Sequence, residues 1–274
     1  MSEPLLSVTV ITFNEEQNIR DCLASVAWAD EIVVVDACST DRTPLICREF
    51  TDRVLQRPWP GHVAQKQYAL EQARGAWILC LDADERLSPE AAAEVRTIIH
   101  NPNAANGYTF PRQSFYLGRW IRHGGWYPDR KLRLARRGCG RWTGHDPHDK
   151  LVVNGTTGHC SGVIYHYVYR DIAQQLATVD SFSRITAVQW HREGRRPQVL
   201  SLLVRPVLKF FETYVWKLGF LDGMPGFIIS VISSYYVFLK YAKLWELSKL
   251  RGLSLIHISE PTRLLSISYA VFCL

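Results

Sequence analysis

The chain has 274 residues, 47% apolar and 21% charged, a balance that excludes extended disorder and supplies enough core for one large α/β domain, alone or with a helical tail. The formal charge of +6 and an isoelectric point near 9.0 favour anionic partners: nucleotide diphosphates, nucleic acid or an acidic membrane surface. Charge alone does not choose among them.

The N-terminus, MSEPLLSVTVITFNEE, lacks a basic region followed by a long apolar stretch, so no signal peptide is expected. Leu6 to Thr12 is a β-branched apolar run of the kind that forms a buried parallel strand. Asn14 to Ala27 places Ile19, Leu23 and Val26 at helical spacing. Glu31 to Val35 predicts a second strand, and Ser39-Thr40-Asp41 offers capping chemistry for a helix from Arg42 to Phe50. A third strand is expected over Arg53 to Gln56, a helix over Gly61 to Arg74, and a fourth strand over Ala76 to Leu81. Ser88, followed by Pro89, is placed to cap the next helix.

Such repeated β-α units predict a mainly parallel, twisted sheet with helices on both faces. Ligands of these sheets bind outside the carboxyl ends of the strands. Three polar clusters fall there, Thr12 to Glu16, Asp36 to Asp41 and Asp82 to Glu85, and are expected to converge on one crevice.

From Asn106 to Tyr169 short strand-like runs alternate with Gly, Pro, His and Arg, and Asp171 to Arg192 is expected to be helical. Val199 to Leu250 is strongly apolar and aromatic. Its uncharged run, Gly226 to Leu239, is shorter than the roughly 20 residues of a membrane span, and flanking lysines suit an amphipathic helical tail lying in a membrane interface. A helical hairpin packed on the domain is the rival expectation. The divisions that follow are 1–105 and 106–198 as two halves of one domain, which the family resemblance of the motifs quoted next makes the nucleotide-sugar and acceptor halves, 199–252 as a membrane-proximal tail and 253–274 as non-native sequence. Leu253 to Arg263, LSLIHISEPTR, reads as a one-frame translation of a transposase-type sequencing adapter.

VTVITFNEEQNI, EIVVVDACSTDRT and GAWILCLDADER, in this order, resemble the three donor-site motifs of glycosyltransferase family 2, whose fold is GT-A. GGWYPDRKLRLAR, PHDKLVVNG and GFLDGMPGFIISVISSYYVFLKYAKLWE resemble its bacterial lipopolysaccharide core branch, including the inner-core β-1,4-glucosyltransferases. The resemblance implies an inverting hexosyltransferase that uses a nucleotide-diphospho-sugar, UDP-linked, and a lipid-linked saccharide acceptor on the cytoplasmic face of the inner membrane.

On that resemblance Asp84 is the direct ligand of Mg²⁺ or Mn²⁺, an ion that takes up charge on the departing diphosphate. Asp82 contacts ribose or sugar hydroxyls. Asp36, with Thr12, Asn14 and Glu15, frames the nucleoside, while Asp41 is expected to hold its own turn. Lys66, near Gln65, is a candidate for the diphosphate; Asp129 and Arg130 are further site candidates, with Arg130 or Arg133 placed to pair with the donor diphosphate or with phosphate on the acceptor. Asp149 is the candidate general base, although related sequences show His-Glu where this chain has His148-Asp149. His148 could orient the acceptor, and Trp126 and Tyr127 could stack on a sugar.

A zinc reading of His145, His148, His159, Cys139 and Cys160 meets no finger or ribbon spacing. Seven cysteines without C-x-x-C spacing suggest a reducing compartment. The competing functions are a polyprenyl-phosphate glycosyltransferase, a nucleotidyltransferase, whose Gly-rich phosphate loop is missing, and a basic membrane- or nucleic-acid-binding protein. Arg136-Arg137, Arg141 and Arg195-Arg196 support the last of these. With no nucleic-acid module and a carboxylate-lined crevice, nucleic acid is not the expected partner.

Overall fold

Val8, Val10, Val33, Val34 and Val35 are fully buried, as β-branched residues are in strands covered on both faces. A computed structural model describes residues 4–145, 148–196 and 198–249; the suspected foreign segment Leu253–Leu274 lies outside them. They form two units, 4–113 with 129–167 and 114–128 with 168–249.

The first unit runs β1 (Leu6–Thr12), α1 (Ile19–Ser25), β2 (Glu31–Asp36), α2 (Thr43–Arg48), β3 (Val54–Gln56), α3 (His62–Gln72), β4 (Trp77–Asp82), β5 (Glu85–Leu87), α4 (Pro89–Ile99), β6 (Gly107–Tyr116, whose last residues belong to the second unit), β7 (Asp129–Arg136), β8 (Gly140–His145), β9 (His148–Val153), β10 (Thr157–His159) and β11 (Ile164–His166). The main sheet follows β3-β2-β1-β4-β7-β6-β11-β5, with β8 and β9 as a separate hairpin. Its first four strands are parallel, as β-α units require. Beyond β4 the neighbours are mostly antiparallel, because no crossover helix separates strands between residues 106 and 167 and the chain returns by turns.

Strands β2 and β3 lie to one side of β1 and β4 to the other, so the chain reverses direction across the sheet between β1 and β4. That is the switch point where such sheets open a ligand crevice. The register sets Thr12 beside Asp36 and Ile11 beside Asp82. Along β4, Trp77, Leu79 and Leu81 enter the core with α1 and α4, whereas Ile78 and Cys80 pack with Leu70 of α3 and Trp142. Strand alternation therefore sends Asp82 to the α3 side.

One expected helix start moved. Asn14 has a φ of 52°, the left-handed region that asparagine tolerates, so α1 begins only at Ile19. Of Ser39-Thr40-Asp41 it is Asp41 that serves the start of α2, accepting from the Thr43 N–H at 2.9 Å, while Arg42 at the cap position makes no side-chain bond. Ser88 does cap α4, accepting from the Ala91 N–H at 3.1 Å.

In the second unit α5 (Ile172–Arg192) starts at Asp171, whose carboxylate accepts from the Gln174 N–H. Then come α6 (Val199–Phe211), a π-helical turn (Glu212–Trp216), a 3₁₀ turn (Gly219–Asp222) and α7 (Gly223–Lys249). Gly226 permits the turn to close: a Cβ there would lie 1.9 Å from the Gly219 carbonyl oxygen. Buried Asp222 accepts from the backbone N–H groups of Arg122 and His123 at 3.0 and 2.7 Å. The uncharged run is only the middle of a 27-residue helix, so its shortness does not limit the element. Gly219–Lys249 is long and apolar enough to cross a membrane by length and composition.

Candidate active site

The donor motifs fold into two loops that hold each other. The Asn14 side-chain oxygen accepts from the Thr40 N–H at 2.8 Å, and the Asn14 N–H donates to the Ser39 hydroxyl. The Glu15 N–H donates to the Thr43 hydroxyl, and its carboxylate accepts from Asn18. Asp41 holds its own turn, accepting from the N–H groups of Thr43 and Glu16. Asp36 is buried, which pushes its carboxyl up, and it accepts from the Ser39 N–H at 2.9 Å and from the Ser39 hydroxyl. The Thr12 hydroxyl is buried with no hydrogen-bond partner among the described residues.

Deeper at the switch point, buried acids meet buried bases. The Lys66 ammonium lies 2.8 Å from Asp82 Oδ1 and 2.9 Å from Asp149 Oδ2, with its charge 4.8 Å from the Trp142 ring centroid. Arg133 donates to Asp82 Oδ2 at 2.8 Å and to Glu85 Oε1 at 2.6 Å. Arg112 reaches Glu85 at 3.3 Å and Asp129 at 2.6 Å. Burial alone would raise these carboxyls; instead Lys66 and Arg133 hold Asp82 far below the usual range, and Lys66 lowers Asp149 to about 2. Arg133 is held more firmly protonated, since Glu85 and Asp82 outweigh its burial.

Asp84 is the exception. Its side chain is 0% exposed, and its ionic-distance neighbour among the described residues is His166, with Nε2 at 3.1 Å from Oδ2. Burial and nearby Arg112 lower His166 to about 3, so it is neutral and supplies no charge. Burial, then Asp82 and Glu85, push Asp84 well above the ordinary carboxylate range. Oδ1 is buried with no hydrogen-bond partner among the described residues. An orphaned hard oxygen on an acid without a cationic partner fits a divalent ion. Among the described residues no three His, Cys, Asp or Glu side chains are grouped to hold a metal themselves, so the fit is to an ion sharing its shell with phosphate and water.

Of the residues read from the sequence, Lys66, Asp82 and Asp149 meet in one contact set, with Asp84 two residues on. Lys66 sits on carboxylates rather than lying exposed along α3. Asp36, Asn14 and Glu15 hold the neighbouring loops. Arg130 is elsewhere, donating to the Cys160 carbonyl at 3.0 Å; Arg133 takes the place among the acids. Trp126 packs near Tyr116, their ring centroids 5.7 Å apart. The side chains of His145 and His148 lie outside the described residues. Sequence reasoning missed Arg112, Trp142 and His166. Arg133 and His166 face inward by strand alternation, but only the sheet order shows which strand tips they meet.

A parallel half-sheet with acidic residues at its switch point, continued by antiparallel strands, defines a GT-A nucleotide-diphospho-sugar transferase. The model of the family described as "Glycosyl transferase family 2" matches residues 7–162, and the chain belongs to that family. It is 30% identical over 259 residues to the lipopolysaccharide core biosynthesis glycosyltransferase LpsC of Rhizobium meliloti (strain 1021), covering 90% of this chain and 94% of that protein. A glycosyltransferase of Rickettsia bellii (strain RML369-C) is 30% identical over 263 residues, 90% of each chain. Among solved structures, residues 1–349 of S. aureus TarS align with a TM-score of 0.47 at 18% identity, covering 91% of this chain and 92% of that one.

Proposed function

We propose that this glycosyltransferase moves a sugar from a UDP-linked donor to a lipid-anchored saccharide with inversion at the anomeric carbon. The observation that carries the reading is the Lys66 bridge, which joins the donor-motif acid Asp82 to Asp149, a residue 67 positions later in the chain. The acceptor hydroxyl oxygen attacks the anomeric carbon while the bond from that carbon to the diphosphate breaks. The nucleoside diphosphate leaves with the electron pair, and Asp149 accepts the hydroxyl proton. Lys66 keeps Asp149 ionised and aimed toward the donor-side acid. Asp82 receives ribose or sugar hydroxyls, and Thr12, Asn14, Glu15 and Asp36 frame the nucleoside.

Asp84 would hold Mg²⁺ or Mn²⁺, which when bound neutralises charge on the diphosphate leaving group. The identity to a lipopolysaccharide core glycosyltransferase supports a core saccharide as acceptor. The exposed apolar residues of α6 support work at the cytoplasmic face of the inner membrane, with the protein peripheral to it.

The test is a panel of UDP-, GDP-, ADP- and dTDP-sugars with and without Mn²⁺, read by thermal shift and by product. UDP-sugars are expected to stabilise the protein most, through binding to the native state alone, and turnover is expected to release UDP. Asp84→Asn should remove the Mn²⁺-dependent part of the shift and keep the fold. Release of pyrophosphate, or no stabilisation by any of these sugars, would overturn the reading.

A further inference from the structure

The second unit contains an open cavity of about 480 Å³ between the end of α5, α6 and α7. Its walls combine cations with aromatic rings: Arg205, Lys209 and Lys240 beside Trp190, Trp216 and Tyr241. The charges are unevenly matched. Glu212, the acid of the lining, is 3.2 Å from Lys209 and 2.5 Å from Lys217. Arg205 and Lys240 face rings instead. The Arg205 guanidinium lies 5.4 Å from the Tyr241 centroid, and the Lys240 ammonium lies 5.3 Å from Trp190 and 4.4 Å from Tyr236. Among the described residues neither has a carboxylate at ion-pair distance. Burial, with Lys209 and Arg205 nearby, lowers Lys240 to about 8. Ring faces offset part of the cost of such charges but do not neutralise them.

The lip of the cavity has the opposite character. Leu208 and Trp216 line it and are 52% and 72% exposed, and Val204, Val207 and Phe211 of α6 are exposed as well. An anion held here has an apolar surface beside it, suited to a hydrocarbon chain. A free phosphate would leave that surface wet. We propose that the cavity binds the phosphate of a lipid, with Arg205 and Lys240 on the phosphate oxygens and the chains against Leu208, Trp216 and the exposed face of α6. The residues lining the cavity all belong to the second unit, whereas the acids of the donor motifs belong to the first. It deepens the membrane reading above by naming the headgroup chemistry that would hold the enzyme to the lipid.

The experiment titrates the full chain with dihexanoyl-phosphatidic acid below its micelle concentration. Inorganic phosphate and dihexanoyl-phosphatidylcholine serve as separate arms, and vesicles with and without phosphatidylglycerol as a parallel one. Saturable binding of phosphatidic acid is expected, at least tenfold tighter than either comparison ligand. Arg205→Gln with Lys240→Gln should weaken it by about thirtyfold, from the usual contribution of two basic residues at an anionic lipid surface. Arg205→Lys with Lys240→Arg should bind within a few fold of the parent, which guards against a misfolded variant. Arg170→Gln with Lys249→Gln, an equal loss of charge at exposed residues outside the lining, should lose much less.

Equal loss in the two glutamine pairs would mean diffuse attraction and overturn the proposal, as would inorganic phosphate binding as tightly as the lipid. A parent chain that ignores both kinds of vesicle would sink the membrane reading, while the soluble-lipid titration still decides the cavity. The UDP-sugar thermal shift should be unchanged in the Arg205 and Lys240 variants, so failure of the donor-site reading remains separately visible.

Discussion

The two units treat charge in opposite ways. At the sheet's switch point Asp82, Glu85 and Asp149 are buried, and each meets Lys66, Arg112 or Arg133 within 3.3 Å. In the helical unit Arg205 and Lys240 face aromatic rings, and large apolar side chains such as Leu200 and Trp216 are exposed. Matched buried charges hold one another in place. Unmatched cations beside exposed apolar surface describe an element completed by something else. Asp84 is the donor side's counterpart of Arg205 and Lys240: among the described residues its carboxyl faces the neutral His166 rather than a cation.

The comparison breaks most sharply at Asp149. Asp149→Asn should lower transfer by about 10²- to 10⁴-fold, the usual range for a general base, with UDP-sugar affinity little changed; near-normal kcat would remove Asp149 from the chemistry. Next comes Arg133→Met, which leaves Asp82 and Glu85 short of a cation. Losing one partner of a buried pair costs about 3–5 kcal/mol, so chemical denaturation should show a loss of that size. Little change would mean that the network is not tightly matched.

Lys66→Met sharpens the picture through pH. With Lys66 present, Asp149 titrates near 2, below its ordinary value of about 3.9. The resulting stabilisation is full above that ordinary value and is lost as pH falls toward 2. Without Lys66, burial dominates and the Asp149 carboxyl rises above the ordinary range, so the acid limb of the pH–rate profile should move to higher pH. A profile that drops in height without shifting would make Lys66 merely structural. The smallest effect is expected from Leu203→Ser with Val207→Ser on the exposed face of α6. Stability should change within about 0.5 kcal/mol per substitution, while vesicle co-sedimentation falls. A large loss of stability would show that this face is packed rather than open.

Much of the donor half was legible in the sequence because its signals are local. A β-branched run, a cap and a Pro predict strands and a helix start, and Ser88 behaves accordingly. The ordered motifs at three strand ends, a few residues each, were enough to indicate the fold. The bounds of α7 were not legible from its uncharged run, since lack of charge is not what continues or stops a helix: Lys240 and Lys243 extend it as readily as Ile229.

By itself the sequence determined which acids stand at strand tips, because side-chain alternation and β-α rhythm are properties of a few consecutive residues. Only the tertiary structure decided which bases those acids meet. Lys66 comes from a helix, Arg112 and Arg133 from antiparallel strands, and Asp149 from a separate hairpin. Burial makes an unpaired charge so costly that the fold must bring opposite charges together across long stretches of chain, and no local pattern records which ones it chooses.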